Sequence, residues 1–213
     1  MGRTQFLRQL EALRIAADRD DVLASRNLRR HNRTHADRAA AEHRVGAKPI
    51  VPPIPGIDSS KVVGLDALHQ AEPAVGQKVV ILGGGLVGSE CAIYLDSLGK
   101  DVTVVEMKDD WASDAYFMHK NAMNIYLRDS KVQIHTNTTA KSVTEEGLLC
   151  STADGDLLLE ADTILLAAGM KPDRELADSF YNAAPRVFQV GDCIKAGRVL
   201  EAVTLGYYRA LDI

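Results

Sequence analysis

The sequence predicts an α/β fold built on a parallel sheet, with a small antiparallel meander attached to it. A short apolar run rich in β-branched residues, Lys78–Leu82, leads directly into a cluster of glycines. A helical pattern follows the glycines, and a second β-branched run, Asp101–Glu106, follows the helix. Short continuous apolar runs are typical of strands buried on both faces of a parallel sheet. The strand–helix–strand order then predicts that the two strands pair in parallel.

Bulk composition is that of a globular protein, with 213 residues, 46% hydrophobic and 25% charged. The net charge of -4 gives no reason to expect a nucleic-acid or anionic membrane partner. No run of 18 apolar residues exists, so no membrane span is expected. The three cysteines, Cys91, Cys150 and Cys193, show no CxxC or metal-ligand spacing. We therefore expect a cytoplasmic protein without a metal site or a dithiol centre.

The first 45 residues differ from the rest of the chain, because they contain ten arginines and no lysine. Apolar spacing predicts an amphipathic helix over residues 4–18, followed by a polar, poorly packed segment over 26–44. A remnant of a longer protein, a basic arm for an acidic partner and a transit peptide are alternative interpretations. The mixed charges favour a solvated segment over a nucleic-acid arm.

A proline-rich connector follows, and the stretch from Pro49 to Pro55 holds four of the seven prolines. Proline removes backbone donors and fixes extended geometry, so this stretch is predicted to be neither helix nor regular strand. A short strand at Val62–Val63 and a helical turn over residues 65–70 are predicted after it.

The glycine cluster fits the pattern G-x-G-x-x-G through Gly83, Gly85 and Gly88. The first glycine permits the tight turn, the second lets the backbone approach a pyrophosphate, and the third lets the helix pack against the strand. The amino end of the helix then presents N–H groups and a positive dipole to phosphate. The sequence therefore predicts a dinucleotide site in which Gly84, Leu86 and Val87 also take part.

An acid, Glu106, ends the second strand 18 residues after Gly88. A carboxylate at this distance is placed to accept hydrogen bonds from the adenosine ribose and repels a 2′-phosphate, which favours NADH over NADPH. Lys108 nearby leaves that preference open. The fingerprint alone does not separate NADH from FAD as its ligand.

The remaining elements follow in order. We predict a helix over 111–128 whose Met and aromatic residues lie in the core, strands over 131–135, 162–169 and 187–193, an antiparallel meander over 140–159, and a helix from Glu201 to the end of the chain. The small residues Ala168 and Gly169 end one strand, and Gly191 and Asp192 end another. Open α/β sheets bind ligands at such carboxyl ends of strands. His69, His119 and His135 are interpreted as surface or hydrogen-bonded histidines.

Five segments in sequence order resemble the two-dinucleotide-domain flavoproteins, and most closely the C-terminal module of NADH:flavin oxidoreductases of the 2,4-dienoyl-CoA reductase, enoate reductase and trimethylamine dehydrogenase type. They are Gly46-Ala-Lys-Pro with the connector, Gly83–Gly88, Glu106, Thr163–Pro172 and Val187–Cys193 with the helix holding Glu201 and Ala202.

The resemblance implies a Rossmann-like NAD(P)H-binding domain, residues 76–170, inserted into an FAD-binding domain made of residues 46–75 and 171–213. It implies that Asp192 hydrogen-bonds FAD and that hydride passes from the nicotinamide to the flavin, with no acid–base pair from the protein. NADH and FAD, or a flavin-bearing partner domain, are the implied partners, and the oligomeric state is left open.

The sequence departs from that family at its amino end, because residues 1–45 contain no strand–GxGxxG–helix of their own. The FAD domain is therefore predicted to be incomplete. We expect this chain to bind NADH and to copurify with little FAD. The alternative is a non-catalytic nucleotide-binding remnant, or a subunit whose flavin site comes from a partner chain.

Overall fold

The structure, a computed structural model, describes residues 46–68, 75–184 and 186–211. The helix predicted over 4–18 and the polar segment over 26–44 lie outside these residues. The described chain forms two units, one of residues 49–169 and one of residues 46–48 with 170–211. None of its helices has both the length and the hydropathy needed to cross a membrane.

The strands are β1 (Ala47–Pro49), β2 (Val62–Val63), β3 (Lys78–Leu82), β4 (Asp101–Val105), β5 (Gln133–His135), β6 (Thr139–Val143), β7 (Gly147–Thr152), β8 (Gly155–Glu160), β9 (Thr163–Leu166) and β10 (Met170–Pro172). The α-helices are α1 (Leu86–Ser97), α2 (Phe117–Arg128), α3 (Arg174–Ser179) and α4 (Val199–Ala210). Two short 3-10 helices cover Leu65–Leu68 and Gly191–Cys193.

The first unit, residues 49–169, is built on a five-stranded sheet with the order β2-β9-β3-β4-β5. All of its pairings are parallel, as the buried apolar runs predict. Helix α1 packs on one face through a cluster that includes Ile81 and Leu95. The antiparallel meander β6-β7-β8 packs on the other face through Leu148 and Cys150. The predicted fold class is therefore confirmed.

The helix predicted over 111–128 is wrong in its first turn and a half, because α2 begins only at Phe117. Ala112 has a left-handed backbone with φ +43°, which no helix continues. The prediction that this helix buries its apolar residues is also wrong in part. Met123 is fully buried, but Phe117 and Ile125 are largely exposed. Only one side of α2 packs against α1, so these side chains point away from the core.

The second unit joins β1 to β10 and carries α3 and α4. The strand predicted over 187–193 is not formed, because its residues have no paired strand in the described chain. Val190 keeps an extended conformation, with φ −144° and ψ 154°, and Gly191–Cys193 form a 3-10 helix instead. Helix α3 was not predicted from the sequence. Its N-cap residue is Asp173, whose side chain accepts a hydrogen bond from the Leu176 amide.

The connector and β2, which the resemblance assigns to the FAD domain, lie in the unit of residues 49–169. Strand β2 pairs with β9 at the edge of the parallel sheet, with Val62 opposite Ile164. The functional boundaries at 46–75, 76–170 and 171–213 remain predictions.

Candidate functional site

The turn that leaves β3 requires glycine at its first position. Gly83 has φ +116°, and a Cβ added there would overlap the Ala167 carbonyl oxygen. Its amide donates to the Val105 carbonyl at 2.9 Å. The turn is therefore held between the carboxyl ends of β4 and β9, where a parallel sheet opens toward a ligand.

The other two fingerprint glycines have different surroundings. A Cβ on Gly88 would overlap the Gly83 carbonyl oxygen, so this glycine allows α1 to pack against the turn. Gly85 is the N-cap residue of α1, and an added Cβ there would meet only the Asp114 carboxylate, at 3.3 Å from Oδ1. Contact with the backbone therefore explains why position 88 requires glycine. The space beside Gly85 is instead bounded by the side chain of Asp114.

Glu106 follows β4 and is buried beside the glycine turn, with 8% of its surface exposed. Its Oε2 accepts from the Gly84 amide at 2.8 Å, and its Oε1 accepts from the Lys108 amide at 2.9 Å. A carboxylate has about four acceptor positions, so each oxygen retains capacity for a further donor. The carboxylate is thus fixed in place while it can still accept ribose hydroxyls.

The loop between β4 and α2 is fastened to the glycine turn. The Ala112 amide donates to the Gly84 carbonyl at 2.6 Å, and Ala112 is almost completely buried. Two residues further on, Asp114 Oδ1 accepts from the Leu86 amide at 2.8 Å. Leu86 is the first residue of α1, so Asp114 caps the end of the helix at which the sequence predicts phosphate binding.

Glu90 lies one turn further along α1 and pairs with His119 of α2, with 3.1 Å between Oε1 and Nε2. Burial raises the pKa of Glu90 to about 7, and the negative charge of Asp114 adds to this effect. Both side chains of the pair are mostly covered, at 22% and 28% exposure. His119 is therefore a hydrogen-bonded histidine, as interpreted from the sequence.

The structure brings the predicted residues of the glycine turn together with Glu106 and the end of β9. The six turn residues and Glu106 lie at adjacent strand ends, and Ala168 borders the turn, since its amide nitrogen would lie 3.0 Å from a Cβ added to Gly83. Gly169 has φ +98° and its carbonyl accepts from Ile50 at 2.9 Å. Gly191 and Asp192 belong to the other unit.

In that second unit, Asp192 Oδ1 accepts from the Gly197 amide at 3.1 Å, just before α4 begins. Gly46 lies against it, because an added Cβ would stand 3.2 Å from the Asp192 Cβ. Asp192 is exposed and Gly191 has φ +73°. These residues form a small turn that leaves the Asp192 carboxylate accessible.

Two site residues, Glu90 and Asp114, were missed from the sequence. Glu90 lies four residues after Leu86, and this helical spacing places both on one face. That spacing was available from the sequence. Asp114 had no such local indication, because its contact with Leu86 spans 28 residues and depends on how the loop folds back.

Burial disfavours the thiolate form of two of the three cysteines. All three cysteines are free. Burial raises the pKa of the Cys91 thiol to about 12 and that of Cys150 to about 11. Thiols with such pKa values are protonated at neutral pH and are poor nucleophiles. Among the described residues, no cluster of His, Cys, Asp and Glu is arranged to hold a metal ion.

A parallel sheet with a glycine turn, a helix amino end and an acid on the neighbouring strand defines a dinucleotide-binding protein of the α/β class. A family model for pyridine nucleotide-disulphide oxidoreductases matches residues 44–206. The chain belongs to this family, whose members are FAD-dependent NAD(P)H oxidoreductases. The predicted class, a flavin-linked oxidoreductase that uses NAD(P)H, is confirmed at this level.

The chain is similar to larger enzymes. Cinnamate reductase from Clostridium sporogenes is 29% identical over 161 residues, which are 71% of this chain and 24% of that protein. A solved 2-naphthoyl-CoA reductase is 32% identical with a TM-score of 0.72, covering 79% of this chain and 26% of the other. A water-forming NADH oxidase from Lactobacillus brevis, bound to NADH, is 27% identical with a TM-score of 0.51, covering 66% and 32%. The chain thus spans about a quarter to a third of these proteins.

Proposed function

We propose that this chain binds NADH and serves as the nicotinamide-nucleotide module of a flavin-linked oxidoreductase. The arrangement of the glycine turn carries the proposal. Gly85 places no side chain of its own beside the amino end of α1, and the buried Glu106 carboxylate follows the neighbouring strand. The amino end of a helix binds the diphosphate of a dinucleotide, and an acid at the end of the next strand binds its ribose.

The residues present fit a dinucleotide. A Cβ at Gly85 would project into the space beside the first turn of α1, and the amides of Leu86 and Val87 begin that turn. Glu106 would accept the adenosine ribose hydroxyls and repel a 2′-phosphate, so we propose NADH rather than NADPH as the ligand. Ala168, at the end of β9, would let the nucleotide lie close to the backbone. A bound nicotinamide would supply a hydride.

For FAD, the residues present fit only in part. Gly191 and Asp192 match the family's flavin-contacting segment, and Asp192 is exposed. Residues 1–45, however, contain one glycine, Gly2, and so no second glycine-rich phosphate loop. We propose that residues 46–75 and 171–213 are part of an FAD domain that a larger assembly completes.

The finer placement among the enoate-reductase-type enzymes is also a proposal. The likeness to cinnamate reductase and to 2-naphthoyl-CoA reductase supports it, because both names denote reductases of unsaturated or aromatic acids or their thioesters. The proposed NAD(P)H-binding domain covers residues 76–170, with strands β3, β4, β5 and β9 of the parallel sheet and the meander as its body.

Titration of the full chain with NADH, followed by nucleotide fluorescence, tests the proposal. We expect a dissociation constant between about 1 µM and 1 mM, with weaker binding of NADPH. Gly85→Val should abolish binding by filling the diphosphate space, and an unchanged affinity in this variant would place the nucleotide elsewhere. An absorption spectrum of the purified chain should show little flavin. Stoichiometric FAD would contradict the proposed incompleteness of the flavin domain.

A further inference from the structure

The Asp114 carboxylate lies where a dinucleotide diphosphate would have to bind. Its Oδ1 accepts from the Leu86 amide at 2.8 Å. The same oxygen lies 3.3 Å from the position of an added Gly85 Cβ, and Oδ2 lies 3.8 Å from it. The Asp114 side chain thus accepts a hydrogen bond from the first amide of α1. It also lies in the space that Gly85 leaves open by having no side chain.

The loop that carries Asp114 is anchored, while the carboxylate itself is accessible. Ala112 is buried, and its amide donates to the Gly84 carbonyl at 2.6 Å. Its left-handed backbone, φ +43°, turns the following residues back toward α1. Asp114 is exposed, so its side chain can rotate away without unfolding the loop. The residue that anchors the loop, Ala112, is thus different from the residue that carries the carboxylate, Asp114.

A second carboxyl group lies close to this end of the helix. Glu90 lies one turn beyond Leu86 on α1, and the charge of Asp114 contributes to the raised pKa of Glu90. A helix amino end stabilises one anion through its free amides and dipole. A carboxylate and a diphosphate at the same amide repel each other, so they are alternative occupants.

We propose that Asp114 competes with the diphosphate of the nucleotide for the Leu86 amide, and thereby sets the nucleotide affinity of this site. The inference rests on the proposed function, because it assumes that the nucleotide uses the glycine turn. Binding then requires the Asp114 side chain to leave the amino end of α1. Ligands without phosphate do not require that movement.

Affinities of the full chain for ADP and adenosine, measured by calorimetry, test the competition. Asp114→Asn removes the charge at the amide, and Asp109→Asn removes an exposed charge from the same loop as the matched control. We expect Asp114→Asn to bind ADP about tenfold more tightly than the wild type, because an anion no longer has to be displaced. Adenosine affinity should stay within about twofold in both variants, and so should ADP affinity in Asp109→Asn.

Equal or weaker ADP binding by Asp114→Asn would overturn the competition while leaving the proposed function intact. An equal gain in Asp109→Asn would also overturn it, because a general charge effect would then be sufficient. If the wild type binds neither ADP nor NADH, the proposed function itself fails, and the competition fails with it. These failures are distinguishable, since the first two occur in a chain that binds ADP.

A measurement on the wild type covers the case in which Asp114→Asn does not fold. The carboxyl carbon of Asp114 and the amide of Leu86 are followed by NMR during titration. We expect both resonances to move with ADP, and the Asp114 carboxyl resonance to stay in place with adenosine. An Asp114 resonance that stays unchanged at saturating ADP would overturn the proposal.

Discussion

The Glu106 carboxylate accepts a hydrogen bond from the Gly84 amide at 2.8 Å, although 22 residues separate the two in sequence. This bond joins the end of β4 to the glycine turn after β3. The group proposed to bind the ribose therefore also holds the turn proposed to bind the diphosphate. Substitutions of Glu106 are expected to change both stability and nucleotide affinity.

Glu106→Gln should destabilise the fold by about 1–2 kcal/mol, because an amide side chain can accept from one of the two backbone amides and leaves the other unsatisfied. Urea unfolding measures this loss. Glu146→Gln, in an exposed turn, is the control and should change the free energy of unfolding by less than about 0.5 kcal/mol. Equal stability of the two variants would show that the buried bonds of Glu106 contribute little.

Glu106→Arg should lower the preference for NADH over NADPH, because it removes the carboxylate that repels a 2′-phosphate. It also removes both acceptors of the Gly84 and Lys108 amides, so a loss of affinity for both nucleotides is expected alongside the change in preference. The ratio of the two dissociation constants is the quantity to measure. An unchanged ratio would mean that the ribose contact lies elsewhere.

Gly85→Ala and Gly88→Ala should separate nucleotide binding from folding. At Gly85 the new methyl group meets only the Asp114 side chain, so the variant should fold and lose at least about tenfold in NADH affinity. At Gly88 it would overlap the Gly83 carbonyl oxygen, and a loss of about 2–4 kcal/mol in unfolding free energy is expected. Thermal unfolding and NADH titration of both variants check this. A normally stable Gly88→Ala would contradict the packing described for α1.

The mostly covered Glu90 carboxyl group should make the stability of the fold depend on pH. The folded-state pKa of Glu90, about 7, lies above its ordinary value of 4.5. The stability that this shift contributes is therefore fully present below about pH 4.5 and is lost as the pH rises through about 7. Relative to Glu90→Gln, the wild type should lose roughly 1–3 kcal/mol between about pH 5 and pH 8. Urea unfolding at both pH values measures the difference. A gain in the wild type over this range would contradict the raised pKa of Glu90.

Gly206→Ala and Gly99→Ala should have opposite effects, although neither glycine has an atom within 4 Å of an added Cβ. Gly206 lies inside α4, where alanine should stabilise the helix by about 0.5–1 kcal/mol. Gly99 follows α1 with φ +78°, and alanine should cost about 1 kcal/mol there. Amide hydrogen exchange in α4 and urea unfolding of the chain report the two effects. If both substitutions raise stability, or both lower it, the backbone conformation of each glycine does not determine the effect.

Local patterns predicted the central part of the fold correctly. Strand β3 has the predicted bounds, α1 follows the glycine turn as predicted, and the predicted antiparallel meander forms with three strands. These features depend on side-chain periodicity and on glycine backbone freedom, which act over a few residues. Their boundaries can therefore be derived without knowing the remainder of the chain.

Predictions failed where an element depends on a distant partner. Residues 187–190 have the composition of a strand but no strand to pair with in the described chain, so they remain extended and unpaired. The predicted helix start at 111 failed because the Ala112 amide bonds to Gly84 instead of continuing a helix. Phe117 and Ile125 are apolar, yet both side chains on α2 are largely exposed.

By itself, the sequence determined the strand–glycine–helix–strand unit, its parallel pairing and the acid that ends its second strand. Each of these follows from residue type and short spacing. Only the tertiary structure determined that Glu106 bonds the glycine turn and that Asp114 caps α1 beside Gly85. Those contacts join residues 22 and 28 positions apart, and the second also depends on the course of the loop that contains the buried, left-handed Ala112. No periodic pattern encodes such a course, because it depends on packing against the completed sheet.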